Sequence, residues 1–225
     1  MKEQTAMNAS KRDLLKRGFF SATLAAGLIW AAALPAQAAD ANAAPDQLIR
    51  QLSLETLDAV KSDKAIQAGD IQKIINLVDT KVMPHVNFQR MTSSAVGRFW
   101  RQATPAQQQR LQEEFKTLLV RTYAGALTQV KDQTIALKPL RASADDTEVV
   151  VKTEIRGKGD PIQLDYRLEK SSGLWKIYDV NVLGIWLADQ YRNSFAQEIG
   201  ANGIDGLIKT LADKNQKAAA GNGKA

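Results

Sequence analysis

The chain has 225 residues, with 30 Lys or Arg, 24 Asp or Glu, one His and no Cys. Without cysteine there is no disulfide framework, no Cys/His nucleophile pair and no acylated lipoprotein terminus, and one histidine cannot build a zinc site of the usual spacing. Removing the first 38 residues takes away five bases (Lys2, Lys11, Arg12, Lys16, Arg17) and two acids (Glu3, Asp13), so the formal +6 falls to 25 bases against 22 acids, or +3. That balance argues against a nucleic-acid partner.

The first element is a targeting segment. "KRDLLKRGFFSATLAAGLIWAAALPAQA" has a basic front, an apolar stretch from Gly18 to Leu34, and a small-x-small end at Ala36, Gln37 and Ala38. This is the pattern of a cleavable export signal, cut after about Ala38. The apolar stretch is too short and too rich in Ala and Gly for a membrane span of about 20 residues. "SKRDLLK" resembles the twin-arginine export motif with Lys11 in place of the first arginine, so the general and twin-arginine routes both stay open. The expected location is the periplasm of a Gram-negative cell. Residues 39–213 are expected to form the domain and 214–225 an unstructured tail.

Downstream, Leu48, Ile49, Leu52, Thr56 and Val60 recur at helical spacing over 45–60, behind Pro45 in the first turn. Asp70 caps a second helix with Ile71, Ile74, Ile75, Val78 and Val82 on one face, ending before Pro84. Residues 85–102 read as shorter helices broken near Thr92–Ser94. The clearest helix opens at "TPAQ", where Thr104 caps, Pro105 takes the first position and Gln107 completes a capping box. Leu111, Phe115, Leu118, Leu119, Thr122, Ala126 and Val130 then form a wide apolar stripe with Tyr123 at its edge.

The period changes at "QTIALKPL". With "TEVVVKTEI", "IQLDYRLEK" and "LWKIYDVNV" it alternates, and short turns between the runs predict an antiparallel meander of about four strands. Two helices follow, over about 187–201 and, capped by Asp205, over 206–214. Helices, then strands, then helices give an α+β class, with helices on one face of a twisted sheet.

Chemistry is sparse. His85, in "VMPHVNF", is the only histidine, and beside a Pro-broken helix it reads as a structural or surface residue rather than a catalyst. Asp145–Asp146 and Glu113–Glu114 read as solvated carboxylates. No nucleophile elbow, Walker loop or dinucleotide fingerprint is present. No catalytic residue, metal or cofactor is expected. Arg98, Arg101 and Arg110 flank the "TPAQ" cap as a solvated rim or an anionic contact. Aromatics gather around the sheet and its helices, which allows a helix-lined hollow.

"ATPAQQQRLQEEFKTLLVRTYAGAL", "IQLDYRLEKSSGLWKIYDVNVLGIWLADQYRNSFAQEI" and "GIDGLIKTL", in that order, resemble the MlaC or toluene-tolerance family over roughly residues 45–213. "MPHV" at 83–86 fits the same pattern. The resemblance implies a soluble periplasmic carrier whose apolar pocket, between helices and sheet, holds the tails of a phospholipid. It implies as partners an outer-membrane lipoprotein complex and an inner-membrane ABC transporter with an MCE-domain subunit, and a monomeric carrier. On this reading Val149, Val151, Leu164, Tyr166, Trp175 and Val180 line the pocket from the strands. Phe115, Leu118 and Tyr123 form its helical wall. Trp186 sits at the mouth or a docking surface, or else packs under the first helix. The twin-arginine-like signal leaves a hopanoid-type cargo open, and the residues alone also admit a periplasmic interaction protein without cargo or, less well, an enzyme on a related scaffold.

Overall fold

The computed structural model describes residues 44–143 and 145–221. The expected export signal lies outside them. Helix α1 spans Pro45–Ser62, α2 Lys64–Gln67 and α3 Ile71–Leu77. The two short helices begin because an aspartate meets their free N–H groups: Asp63 accepts from Ala65 and Ile66, and Asp70 from Gln72 and Lys73. The second helical run does not stay α-helical to Pro84. It widens to a π turn over Val78–Val82 and tightens to a 3-10 turn over Met83–His85.

Helix α4, Phe88–Val96, runs unbroken through Thr92–Ser94, correcting the expected break there. The Thr92 hydroxyl donates to the Phe88 carbonyl and that of Ser93 to Arg90, so these side chains are satisfied within the helix. The break falls at Gly97, whose φ of 65° is left-handed, and a 3-10 turn follows over Gly97–Gln102. Helix α5, Pro105–Thr128, has the predicted capping box. Thr104 Oγ1 accepts from the Gln107 N–H at 3.2 Å, and Gln107 Oε1 accepts from the Thr104 N–H at 3.0 Å.

Five strands, one more than expected, form an antiparallel meander in sequence order: β1 Thr134–Leu137, β2 Glu148–Arg156, β3 Ile162–Ser171, β4 Leu174–Val182 and β5 Ile185–Trp186. Pairing sorts the side chains. Val149, Val151 and Thr153 of β2 stand opposite Leu168, Tyr166 and Leu164 of β3, and the last two stand opposite Val180 and Val182 of β4. These form the apolar inner face, and α1 packs Leu48, Ile49 and Leu52 against it. The outer face carries Lys152, Glu154, Arg167 and Asp179.

Helix α6, Leu187–Gly221, is two helices meeting at Gly203, whose φ of 73° and ψ of −179° are not helical. Close packing follows the kink: a Cβ on Gly206 would lie 2.3 Å from the Asn202 Cβ. Asp205, expected as the second helix's cap, instead accepts from the Gln107 side chain at 2.8 Å. Residues 214–221, expected as tail, are helical instead. Asn215 is buried there and donates to the Glu114 carbonyl at 3.0 Å and to its carboxylate at 2.8 Å, tying this end to α5. No helix among the described residues is long and apolar enough to cross a membrane.

Candidate functional site

The buried side chains fall into three groups rather than one. Met91, Val96, Leu111, Phe115, Phe195, Leu207 and their neighbours unite α4, α5 and α6. Leu48, Ile49, Leu52, Val149, Val151, Leu168 and Ile177 unite α1 with the inner face. Val60, Ile66, Ile74 and Leu77 close the far end under α5. Helix α5 packs on α3, α4 and α6. Its expected stripe is fully buried only at Leu111 and Phe115; Leu118 and Leu119 are half-buried, and Thr122 and Ala126 are exposed.

Between these groups the inner face keeps apolar surface. Leu164, Tyr166, Val180 and Val182 are only half-buried although they lie mid-sheet. Tyr166 marks the character of the space. Burial pushes its phenol up to about 12, even though the nearby Ser53 hydroxyl of α1 acts the other way. Half-buried side chains in the middle of a sheet leave room between the inner face and the helices, a hollow whose walls are these residues. Val180 packs on both the helical and the sheet group and so spans it.

The helical side of the hollow is aromatic with hydroxyl tips. Phe115 meets Tyr191 edge-on at 5.0 Å and Phe195 at 5.2 Å. Burial raises the Tyr191 phenol, opposed by the nearby Thr122 hydroxyl, and it raises that of Tyr123, which the neighbouring Tyr191 raises further. The wall is therefore apolar, with a few neutral hydroxyls and no ionised group among the residues named here.

At the β4–β5 end the inner face opens. Ile162, Ile185 and Leu183 are 47%, 55% and 66% exposed, and Leu183 holds a left-handed φ of 53°. A leucine costs energy there, so the fold keeps a strained apolar tip facing outward.

Of the residues expected at the site, Val149, Val151, Tyr166, Trp175 and Val180 meet in the sheet group, and Leu164 continues the same face. Phe115, Val149 and Val151 are buried, behind the half-buried row. Leu118 and Tyr123 are half-buried on the second half of α5, Leu118 against the helical group. Trp186 does not join them. It pairs with Asn181 on the outer face, where the Arg167 guanidinium lies 3.8 Å from the centre of its ring. Trp186 is therefore neither on the inner face nor under the first helix; of the expected positions, the outer face is compatible only with a docking surface. Tyr191, Leu119 and Val182 were absent from the expected set. Tyr191 follows the α6 stripe and Val182 the β4 alternation, so the periodicity carried the signal.

The chain is similar to several known proteins. The family model described as "MlaC protein" matches residues 50–213. The toluene tolerance protein ttg2D of Pseudomonas putida is 29% identical over 169 residues, covering 74% of this chain and 78% of that protein. The intermembrane phospholipid transport system binding protein MlaC of Haemophilus influenzae is 24% identical over 182 residues, covering 79% and 85%. Among solved structures, a phospholipid-binding protein from Ralstonia solanacearum, in complex with a phospholipid, superposes with a TM-score of 0.74 at 47% identity, covering 76% of this chain and 96% of that one.

Proposed function

Because the chain belongs to the MlaC family, we propose that it is a phospholipid carrier that holds acyl tails in the hollow between α5, α1 and the inner face of the sheet. The observation that carries this reading is the relative from Ralstonia solanacearum, which holds a phospholipid on the same fold. The half-buried row of Leu164, Tyr166, Val180 and Val182, facing a helix that keeps Leu118 and Leu119 half-buried, supports it.

The physics of the task fits the wall. A two-chain lipid exposes about 30 methylenes, and at about 0.8 kcal/mol each the tails resist water by roughly 25 kcal/mol. An apolar enclosure removes most of that penalty, so headgroup contacts can stay weak. Unloading needs a partner that offers a comparable apolar path, and no bond is made or broken. Catalytic groups are not needed for such a cycle.

On this reading the protein is exported to the periplasm as a monomer and exchanges lipid with an outer-membrane lipoprotein complex and an inner-membrane ABC transporter bearing an MCE-domain subunit. Native mass spectrometry of the purified protein, followed by solvent extraction, tests it. A stoichiometric two-chain phospholipid is the expected result, and a hopanoid in its place would keep the carrier but change the cargo. A protein that is empty as purified and takes up no lipid from vesicles overturns the proposal.

A further inference from the structure

The outer face of the sheet carries a depression of about 670 Å³ that reaches round the edge of β2 to Val149. It lies between the segment after β1 (Pro139, Arg141) and the outward side chains Glu148, Val150 and Lys152 of β2, with Arg167 and Tyr178 closing it. Strand β1 pairs with β2 only from Thr153 to Arg156. Beyond that the Lys138 N–H donates to the Lys152 carbonyl at 2.9 Å, and Pro139 has no N–H to continue the ladder. The β2 stretch 148–151 is therefore a sheet edge opening on the groove.

The charge of the groove is one-sided. Its carboxylate, Glu148, accepts from Arg90 Nη2 at 2.7 Å and from the Tyr178 hydroxyl at 2.9 Å, and Arg90 itself lies 3.6 Å from the centre of the Tyr178 ring. Arg167 is shared among Asp179, Asp189 and Trp186. Arg141 and Lys152 have no carboxylate within ion-pair distance among the described residues. Val150, 40% exposed, lies among these cations on the row of Arg167.

We infer that this groove docks an extended acidic segment of a partner protein, laid along the edge of β2 with its carboxylates on Arg141 and Lys152 and an aliphatic side chain over Val150. An inorganic anion would leave most of the volume and Val150 unused. A membrane surface is flat, whereas these cations line a concavity between a loop and a strand. The inference does not depend on what occupies the inner face.

The test uses a fluorescein-labelled octapeptide alternating glutamate and valine, titrated into the purified protein by anisotropy at low and high salt. Saturable binding that weakens about tenfold or more in R141E/K152E and on raising salt is expected. In NMR the shifts should gather at 139–141 and 148–152. The reversal of a distant exposed lysine, Lys209→Glu, should change nothing. Absence of saturation, equal binding of the lysine–valine peptide, or binding that survives R141E/K152E would overturn the inference. So would flotation with phosphatidylethanolamine–phosphatidylglycerol vesicles that is lost in R141E/K152E, since the groove would then serve a bilayer.

Discussion

The carboxylate of Asp179 on β4 accepts from the backbone N–H of Ala188, nine residues further on, at 3.1 Å, and so fixes where α6 leaves the sheet. The same carboxylate accepts from the Val180 N–H at 2.9 Å and from Arg167 at 3.1 Å, and it is 1% exposed. Asp179→Ala strands a buried N–H and the Arg167 guanidinium at once. A loss of about 3 kcal/mol in chemical denaturation is expected, with Asp179→Asn milder because one acceptor survives. Equal effects of the two substitutions would remove the hydrogen-bonding account.

Two carboxylates should titrate in opposite directions. Hydrogen bonding to Arg90, with Tyr178 adding to it, holds Glu148 below the ordinary glutamate range. Burial lifts Asp179 above the ordinary aspartate range, against its two backbone hydrogen bonds and Arg167. For Glu148 the folded chain favours the charged form, so its contribution is present above the ordinary range and fades as pH falls through the lowered value. For Asp179 the folded chain favours the neutral form, so stability is lost as pH rises from the ordinary aspartate value through the raised one. Carboxyl carbon shifts followed by NMR against pH resolve the two, and Glu148→Gln should flatten the acid-side decline.

Filling the hollow should displace cargo without unfolding the protein. Val180→Trp places a large ring between the helical and sheet groups, and Leu118→Trp does so from α5. Native mass spectra should show a reduced lipid-bound fraction for both, with melting temperatures no lower than that of the delipidated parent. Full occupancy in both variants would place the tails elsewhere.

Phe115→Ala removes a fully buried ring and its edge contacts with Tyr191 and Phe195, at a cost of about 3–5 kcal/mol. Its effect on lipid occupancy should follow the unfolded fraction. Thr104→Ala removes a cap and should cost about 1 kcal/mol.

Leu183→Gly should stabilise the fold by about 1 kcal/mol, because glycine accepts the left-handed backbone and little buried surface is lost. If the leucine is kept for contact at the open end, lipid transfer should slow in the same variant. Faster or unchanged transfer would leave the strain without a use.

Local signals were legible in the sequence. The Thr104–Pro105–Gln107 cap, the Asp70 cap and the alternation of β2 and β3 depend on neighbours within a few positions. The face taken by Trp186 was not, because it is set through the β4–β5 turn by pairing with Asn181 and by the distant Arg167. Nor did the α5 stripe reveal that its second half faces open space. Periodicity tells which side chains share a side of a helix, but not whether anything stands opposite. The aromatic wall at Tyr191 was visible as a stripe, and the nearness of the Thr122 hydroxyl to it required the fold.

Dividing the buried side chains into three groups has a mechanical consequence. Each group is tightly packed within itself, and few residues such as Val180 connect one to another. Widening the space between them therefore stretches few close contacts, much as spreading fingers leaves each knuckle intact. Under the proposed carrier function, tolerance for guests of different length or saturation follows from how the interior is partitioned, and substitutions that weld the groups together should narrow the range of guests.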